Sequence, residues 1–177
     1  MPHYNTELLV RAPVQRLYQA LTTQAGLQGW WTRDCSIGNG VGSRSTFHFG
    51  DTWQVMRIAR LTPDSEVHWT CTDSHIVEPG LARADEWTGT DVVFRLAARG
   101  QHNESTLLQF EHIGLTPQIG CYAICTSSWH LFLGSLKRYA ETGKGMPYTE
   151  AGISSRLRKP RDPMPASASP IHKGVSR

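Results

Sequence analysis

Glu86 and His112 are the residues of this sequence best suited to form an acid–base pair. Side chains alternate faces along a strand, so if Val92, Phe94 and Leu96 face a core, Thr90, Thr88 and Glu86 share that face unless a bulge intervenes. The same count from Leu108 and Phe110 turns His112 inward. Glu86 opens one strand-like segment and His112 closes another, so antiparallel pairing would bring both to the same end of an interior space. A carboxylate there would favour the imidazolium and raise its pKa, giving that space a polar end able to orient a ligand carbonyl or to move a proton. Two other readings stay open. Either residue hydrogen-bonds backbone at a rim, or a bulge at Gly89 turns Glu86 to solvent.

Other chemistry is sparse. The remaining histidines are scattered: His3, His102 and His172 fall in turns or ends, and His48, His68, His75 and His130 read as surface or rim residues. No GxSxG, HExxH, CxxC or Walker pattern occurs, and no Ser, His and acid are spaced as a triad, which leaves binding ahead of catalysis. The four cysteines, Cys35, Cys71, Cys121 and Cys125, follow no secreted-domain pattern and point to a reducing, cytoplasmic setting. Cys121 and Cys125 share a helix face, but a metal would need further ligands nearby, so core thiols are expected and neither metal nor cofactor is called for. Six tryptophans exceed what a small core ordinarily needs. A buried indole wants an N–H partner, which suits amphipathic walls around a ligand as well as an aromatic core. Trp129, Trp69, Tyr122, Phe110 and Trp31 are the wall candidates.

These residues must be carried by elements that the punctuation marks out. Residues 4–10 alternate as a strand, Ala12-Pro13 ends it, and Val14, Leu17, Tyr18 and Leu21 recur at helical spacing behind the proline. A further turn or two covers Leu27 to Trp31, and the glycine-rich 38–42 leads into a sheet rather than cradling phosphate, since no helix pattern follows. Strand-like segments follow at about 43–49, 52–61, 66–72, 86–98 and 105–112, spaced too closely for parallel crossovers. Thr116 then reads as an N-cap, Pro117 as the first helical residue and Gly143 as the stop of a helix of about 26 residues, roughly 39 Å long. Its stripe of Ile119, Tyr122, Cys125, Trp129, Phe132, Leu133, Leu136 and Tyr139 must cover something. A curved antiparallel sheet packed on this helix, with two short helices closing one end, makes an α+β domain.

Length and charge agree. A chain of 177 residues suits one domain, able to bury a core without staples. Its net charge of +3 is unevenly distributed. From Lys144 onward seven basic residues face Glu150 and Asp162, so the remainder is slightly acidic and should not behave as a nucleic-acid binder. The division expected is a folded domain over 1–147 and a basic, Pro/Ser-rich disordered tail over 148–177. Met1-Pro2-His3-Tyr4 begins no secretory signal, and Ile113 to Leu136, although free of Asp, Glu, Lys and Arg, is too polar to insert in a membrane.

Taken as an ordered set, certain residues resemble a known family. Trp30-Trp31, Gly42, Glu86-Trp87-Thr88-Gly89-Thr90-x-Val92-x-Phe94, His112-x-Gly114-Leu115, and Trp129 through Leu136-Lys137 to Gly143-x-Gly145-x-Pro147 look like the START-like SRPBCC superfamily. The branch they are most similar to is the AHSA-like group, the activator of heat-shock-protein-ninety ATPase homologues, over about residues 4–147. The resemblance implies the helix-grip fold and a hydrophobic pocket between sheet and C-terminal helix that takes a small hydrophobic or lipid-like molecule. A pocket enzyme of polyketide cyclase or hydrolase type and a chaperone or regulator interaction module are the alternatives. A homodimer is compatible with either.

Overall fold

The computed structural model describes residues 2–150, so the tail expected over 148–177 lies outside the described residues except for Tyr148, Thr149 and Glu150, and Tyr148 belongs to the fold, its N–H donating to Trp31 O. The elements are β1 (Tyr4–Val10), α1 (Val14–Thr22), α2 (Gln24–Trp30), β2 (Cys35–Ser36), β3 (Arg44–Phe49), β4 (Thr52–Thr62), β5 (Glu66–His75), β6 (Asp91–Arg99), β7 (Ser105–Ile113) and α3 (Tyr122–Thr142). Seven strands form one antiparallel sheet in the order β1-β7-β6-β5-β4-β3-β2. This is the α+β architecture expected from the residues and the helix-grip fold that the resemblance implies. Strands β3 to β5 are joined by tight turns, one of them holding Asp64 at φ 59° after Pro63. Register shifts at Val55/Met56 and Ile58/Arg60 interrupt the β4–β5 ladder, and such bulges bend a sheet.

The period-two rule fills the inner face with Val67, Trp69, Cys71, Val92, Phe94 and Leu96, joined by Leu108 and Phe110 from β7. Helix α3 covers that face with Cys125, Trp129, Leu133, Leu136 and Ala140, all buried. Gly143 ends it at φ 80°, a left-handed conformation that costs glycine little and other residues more. The opposite sheet face carries charge: Arg95 lies 3.3 Å from Glu66 and 2.9 Å from Glu111.

Two boundaries differ from expectation. Strand β6 begins at Asp91, not near Glu86, because residues 85–90 fold into consecutive turns: Thr88 N–H donates to Asp85 O (3.0 Å) and Thr90 N–H to Trp87 O (2.9 Å). Gly89, at φ 89°, donates its N–H to Cys71 O and breaks the alternation that would have turned Glu86 inward. Helix α3 begins at Tyr122 rather than after Thr116 and spans 21 residues. Residues Thr116 to Cys121 turn by i to i+3 bonds instead, and the amides of Gly120 and Cys121 are taken by a carboxylate from elsewhere in the chain.

Candidate functional site

That carboxylate is Glu86. Its Oε1 accepts from Gly120 N–H at 3.0 Å and its Oε2 from Cys121 N–H at 2.6 Å, so it fastens the β5–β6 connection to the start of α3. Partial burial would raise its pKa, but the Cys121 and Gly120 amides outweigh that and hold the carboxyl below its ordinary value. Glu86→Ala leaves both amides without this partner and should cost about 1–3 kcal/mol, whereas Glu86→Gln should cost less. Urea unfolding measures both, and equal, negligible losses would show that the clamp does not hold the helix.

His112 is fully buried at the end of β7 and does not meet Glu86. The expected pair is therefore not formed. The imidazole instead sits between Trp129, whose Nε1–H donates to Nδ1 at 3.0 Å, and Thr90, whose Oγ1 lies 2.9 Å from Nε2. An indole N–H can only donate, so Nδ1 is the acceptor and Nε2 carries the proton. The hydroxyl of Thr90 then passes its own proton to Trp87 O at 2.6 Å. Burial drives the His112 pKa down to about 3, with Asp91 opposing and His3 adding to the effect, the reverse of the shift a Glu86 partner would give.

This network fixes a wall of indoles. Trp87 and Trp129 stack at 5.7 Å, Trp31 stacks on Trp129 at 5.4 Å, and Trp69 stacks on Trp31 at 5.7 Å. Trp87 Nε1–H is occupied by Cys125 Sγ at 3.1 Å. Between this wall, β4 and the outer turns of α3 lies a cavity of about 320 Å³. Trp31, Trp87, Trp129, Phe49, Phe132 and Tyr148 supply its aromatic lining. Tyr148 is held there by backbone pairing, its N–H donating to Trp31 O at 2.8 Å. At the mouth, Val77, Ile124 and Leu131 are 52%, 41% and 53% exposed, a cluster of large apolar side chains open to solvent.

Of the residues singled out from sequence, Trp31 and Trp129 line this cavity. Trp69 instead faces a second space of about 150 Å³ near the ends of α1 and β2. Phe110 is core, packed on Trp129 and Phe94, and Tyr122 is half-buried at the start of α3. His112 stands behind the indole wall and Glu86 outside it. The residue that periodicity could have revealed is Gln54, which continues the inward row of Met56 and Ile58 on β4. The cysteines are unpaired, and the neighbouring Cys125 sulfur together with burial pushes the Cys121 thiol well above its ordinary range. Among the described residues no group of three or more His, Cys, Asp or Glu is gathered to hold a metal, and no helix is long and apolar enough to cross a membrane.

A curved antiparallel sheet gripping a C-terminal helix, with an aromatic cavity between them, defines a START-like SRPBCC domain. More narrowly, the profile of the Activator of Hsp90 ATPase homolog 1-like protein family matches residues 11–141, and the chain belongs to that family. The Aha1 dimer of Colwellia psychrerythraea is 32% identical, with a TM-score of 0.67 over 82% of this chain and 100% of that one. DynU16, from the dynemicin biosynthetic locus, is similar in fold at 23% identity and TM-score 0.59, over 80% of this chain and 48% of that one. A Mesorhizobium loti protein shares the fold at 18% identity and TM-score 0.60, over 76% of this chain and 95% of that one. No curated protein sequence matches significantly.

Proposed function

We propose that the folded domain, expected over 1–147 and including Tyr148 as a wall of the site, binds a small hydrophobic molecule in the cavity between sheet and C-terminal helix. The observation that carries this reading is an aromatic cavity of about 320 Å³ whose mouth is rimmed by exposed Val77, Ile124 and Leu131. A solvent-open cleft walled by aromatic side chains is a place where a small apolar molecule can remove surface from water. The volume falls in the lower range of small-molecule sites, which are mostly apolar with a few polar groups that set orientation. The cavity favours this role over chaperone regulation, to which the family name points, and over catalysis, because the buried His112 has both nitrogens engaged in holding the wall.

The setting in this reading is the reducing cytoplasm, in keeping with four unpaired cysteines. A homodimer is the assembly to test first, since the 32% identical Colwellia protein is described as a dimer. The binding test is a titration with the neutral dye N-phenyl-1-naphthylamine. Saturable binding is expected, and Ser128→Trp, which plugs the cavity from its half-buried α3 position, should weaken it about tenfold or more while leaving the unfolding midpoint nearly unchanged. No saturable binding, or binding indifferent to Ser128→Trp, would refute the role.

A further inference from the structure

Resting on that reading, we propose that Gln54 determines the specificity of the cavity, and that the ligand class it selects is a flat, neutral aromatic with an N–H or O–H donor beside a carbonyl acceptor on one edge. Gln54 lines the cavity from β4, between Phe47 and Ser74 on the neighbouring strands, and is only 4% exposed. Its Oε1 is buried without a hydrogen-bond partner among the described residues. None of the nearby polar groups reaches it: the Ser74 hydroxyl pairs with Thr88 at 3.0 Å, Thr52 Oγ1 accepts from Val77 N–H at 3.0 Å, and Cys125 Sγ accepts from Trp87.

A buried amide left unpaired lowers stability, and a leucine in the same inward row would avoid that cost. Its retention is explained by a partner that arrives with the ligand. A carboxamide presents one acceptor and one donor side by side, so the edge that satisfies it presents the reciprocal pair. The other walls set the rest of the class. The aromatic lining of Trp31, Trp87, Trp129, Phe49, Phe132 and Tyr148 suits a flat ring system. Glu78 stands among the lining residues, and none of those described is Lys, Arg or His, so an anion finds no counter-charge.

The experiment compares three probes of similar size by calorimetry: 2-quinolinone, whose N–H adjoins its carbonyl; naphthalene, which has no polar edge; and 2-naphthoate, an anion. Wild type should prefer 2-quinolinone over naphthalene about tenfold, the yield of one to two hydrogen bonds made to an otherwise unpaired group. Gln54→Leu should abolish that preference, keep the naphthalene affinity, and unfold at the same or a higher temperature. Gln54→Met, closer in shape, should do the same. Equal binding of 2-quinolinone and naphthalene by wild type, or a preference that survives both substitutions, overturns the assignment of Gln54 while leaving the hydrophobic cavity standing. Tightest binding of 2-naphthoate overturns the neutral class. Failure of all three probes to bind while N-phenyl-1-naphthylamine still binds overturns this inference alone; failure of that dye as well overturns the proposed function.

Discussion

Between pH 6.5 and pH 4 the wild-type domain should lose stability on account of His112 by about 1.4 kcal/mol for each pH unit, a slope absent from His112→Gln. The sign follows from proton counting. The unfolded imidazole takes up a proton near its ordinary value of 6.5, whereas the folded one, driven down to about 3 by burial, does not. Over that window the unfolded state binds more protons, so acid favours unfolding; above pH 6.5 both states are neutral and the effect vanishes. At pH 5 the loss relative to pH 7 is about 2 kcal/mol. Urea melts at both pH values, for wild type and variant, isolate it from the carboxylates common to the two proteins. As an independent check, ring-nitrogen NMR should find His112 neutral at pH 5 with its proton on Nε2. Parallel pH profiles, or an imidazolium at pH 5, would contradict the buried network.

Truncation of Trp129 should have the largest effect of any single core substitution. The indole is 1% exposed, stacks with Trp31 and Trp87, and fills the His112 Nδ1 acceptor. Trp129→Ala should cost about 3–5 kcal/mol through the lost burial and the cavity left behind. Trp129→Phe keeps most of the aromatic volume but leaves Nδ1 unpaired in a dry site, and should cost about 1–3 kcal/mol. Chemical denaturation measures both. A loss below about 1 kcal/mol for the alanine variant would mean that the helix does not depend on this indole. Binding defects in Trp129→Ala would therefore report a damaged fold as much as a damaged pocket, which is why Ser128 and Gln54 are better positions for testing the ligand.

The sequence made the architecture legible because strands β3 to β5 and β7 alternate cleanly and are separated by turn residues, and because α3 carries an unbroken stripe stopped by Gly143. Its failures have identifiable causes. Extrapolating period two backwards from Val92 to Glu86 ran through Gly89, and a single residue at positive φ suffices to cancel the count. The amides at the start of α3 are satisfied by Glu86, 34 residues away in sequence from Gly120, so no local capping rule could find that boundary. Within the candidate cavity, Trp31 and Trp129 were readable as large aromatics on inward faces. Phe132 was readable only as part of the α3 stripe, and Phe49 and Tyr148 were not, because what brings them together is the packing of segments distant in sequence. Gln54 was readable in principle, as a polar residue in phase with Met56 and Ile58, since a break in polarity without a break in period marks a group with a task.

The edge position of β1 sets the order in which this chain can assemble. Tyr4 pairs with His112 and Val10 with Thr106, so the first strand finds its partner only after nearly the whole sheet-forming sequence has been made. Strands β3 to β5 need only short loops to meet, and β6 and β7 likewise, whereas joining β1 to β7 closes a loop embracing all of them. Loop-closure entropy disfavours that contact until the others are in place. Loop-closure entropy alone thus ranks the β1–β7 pairing last among the strand contacts. Trp31, by contrast, meets Phe47 of β3 at 4.3 Å across a short stretch of chain, so the aromatic cluster needs no such long closure to begin forming.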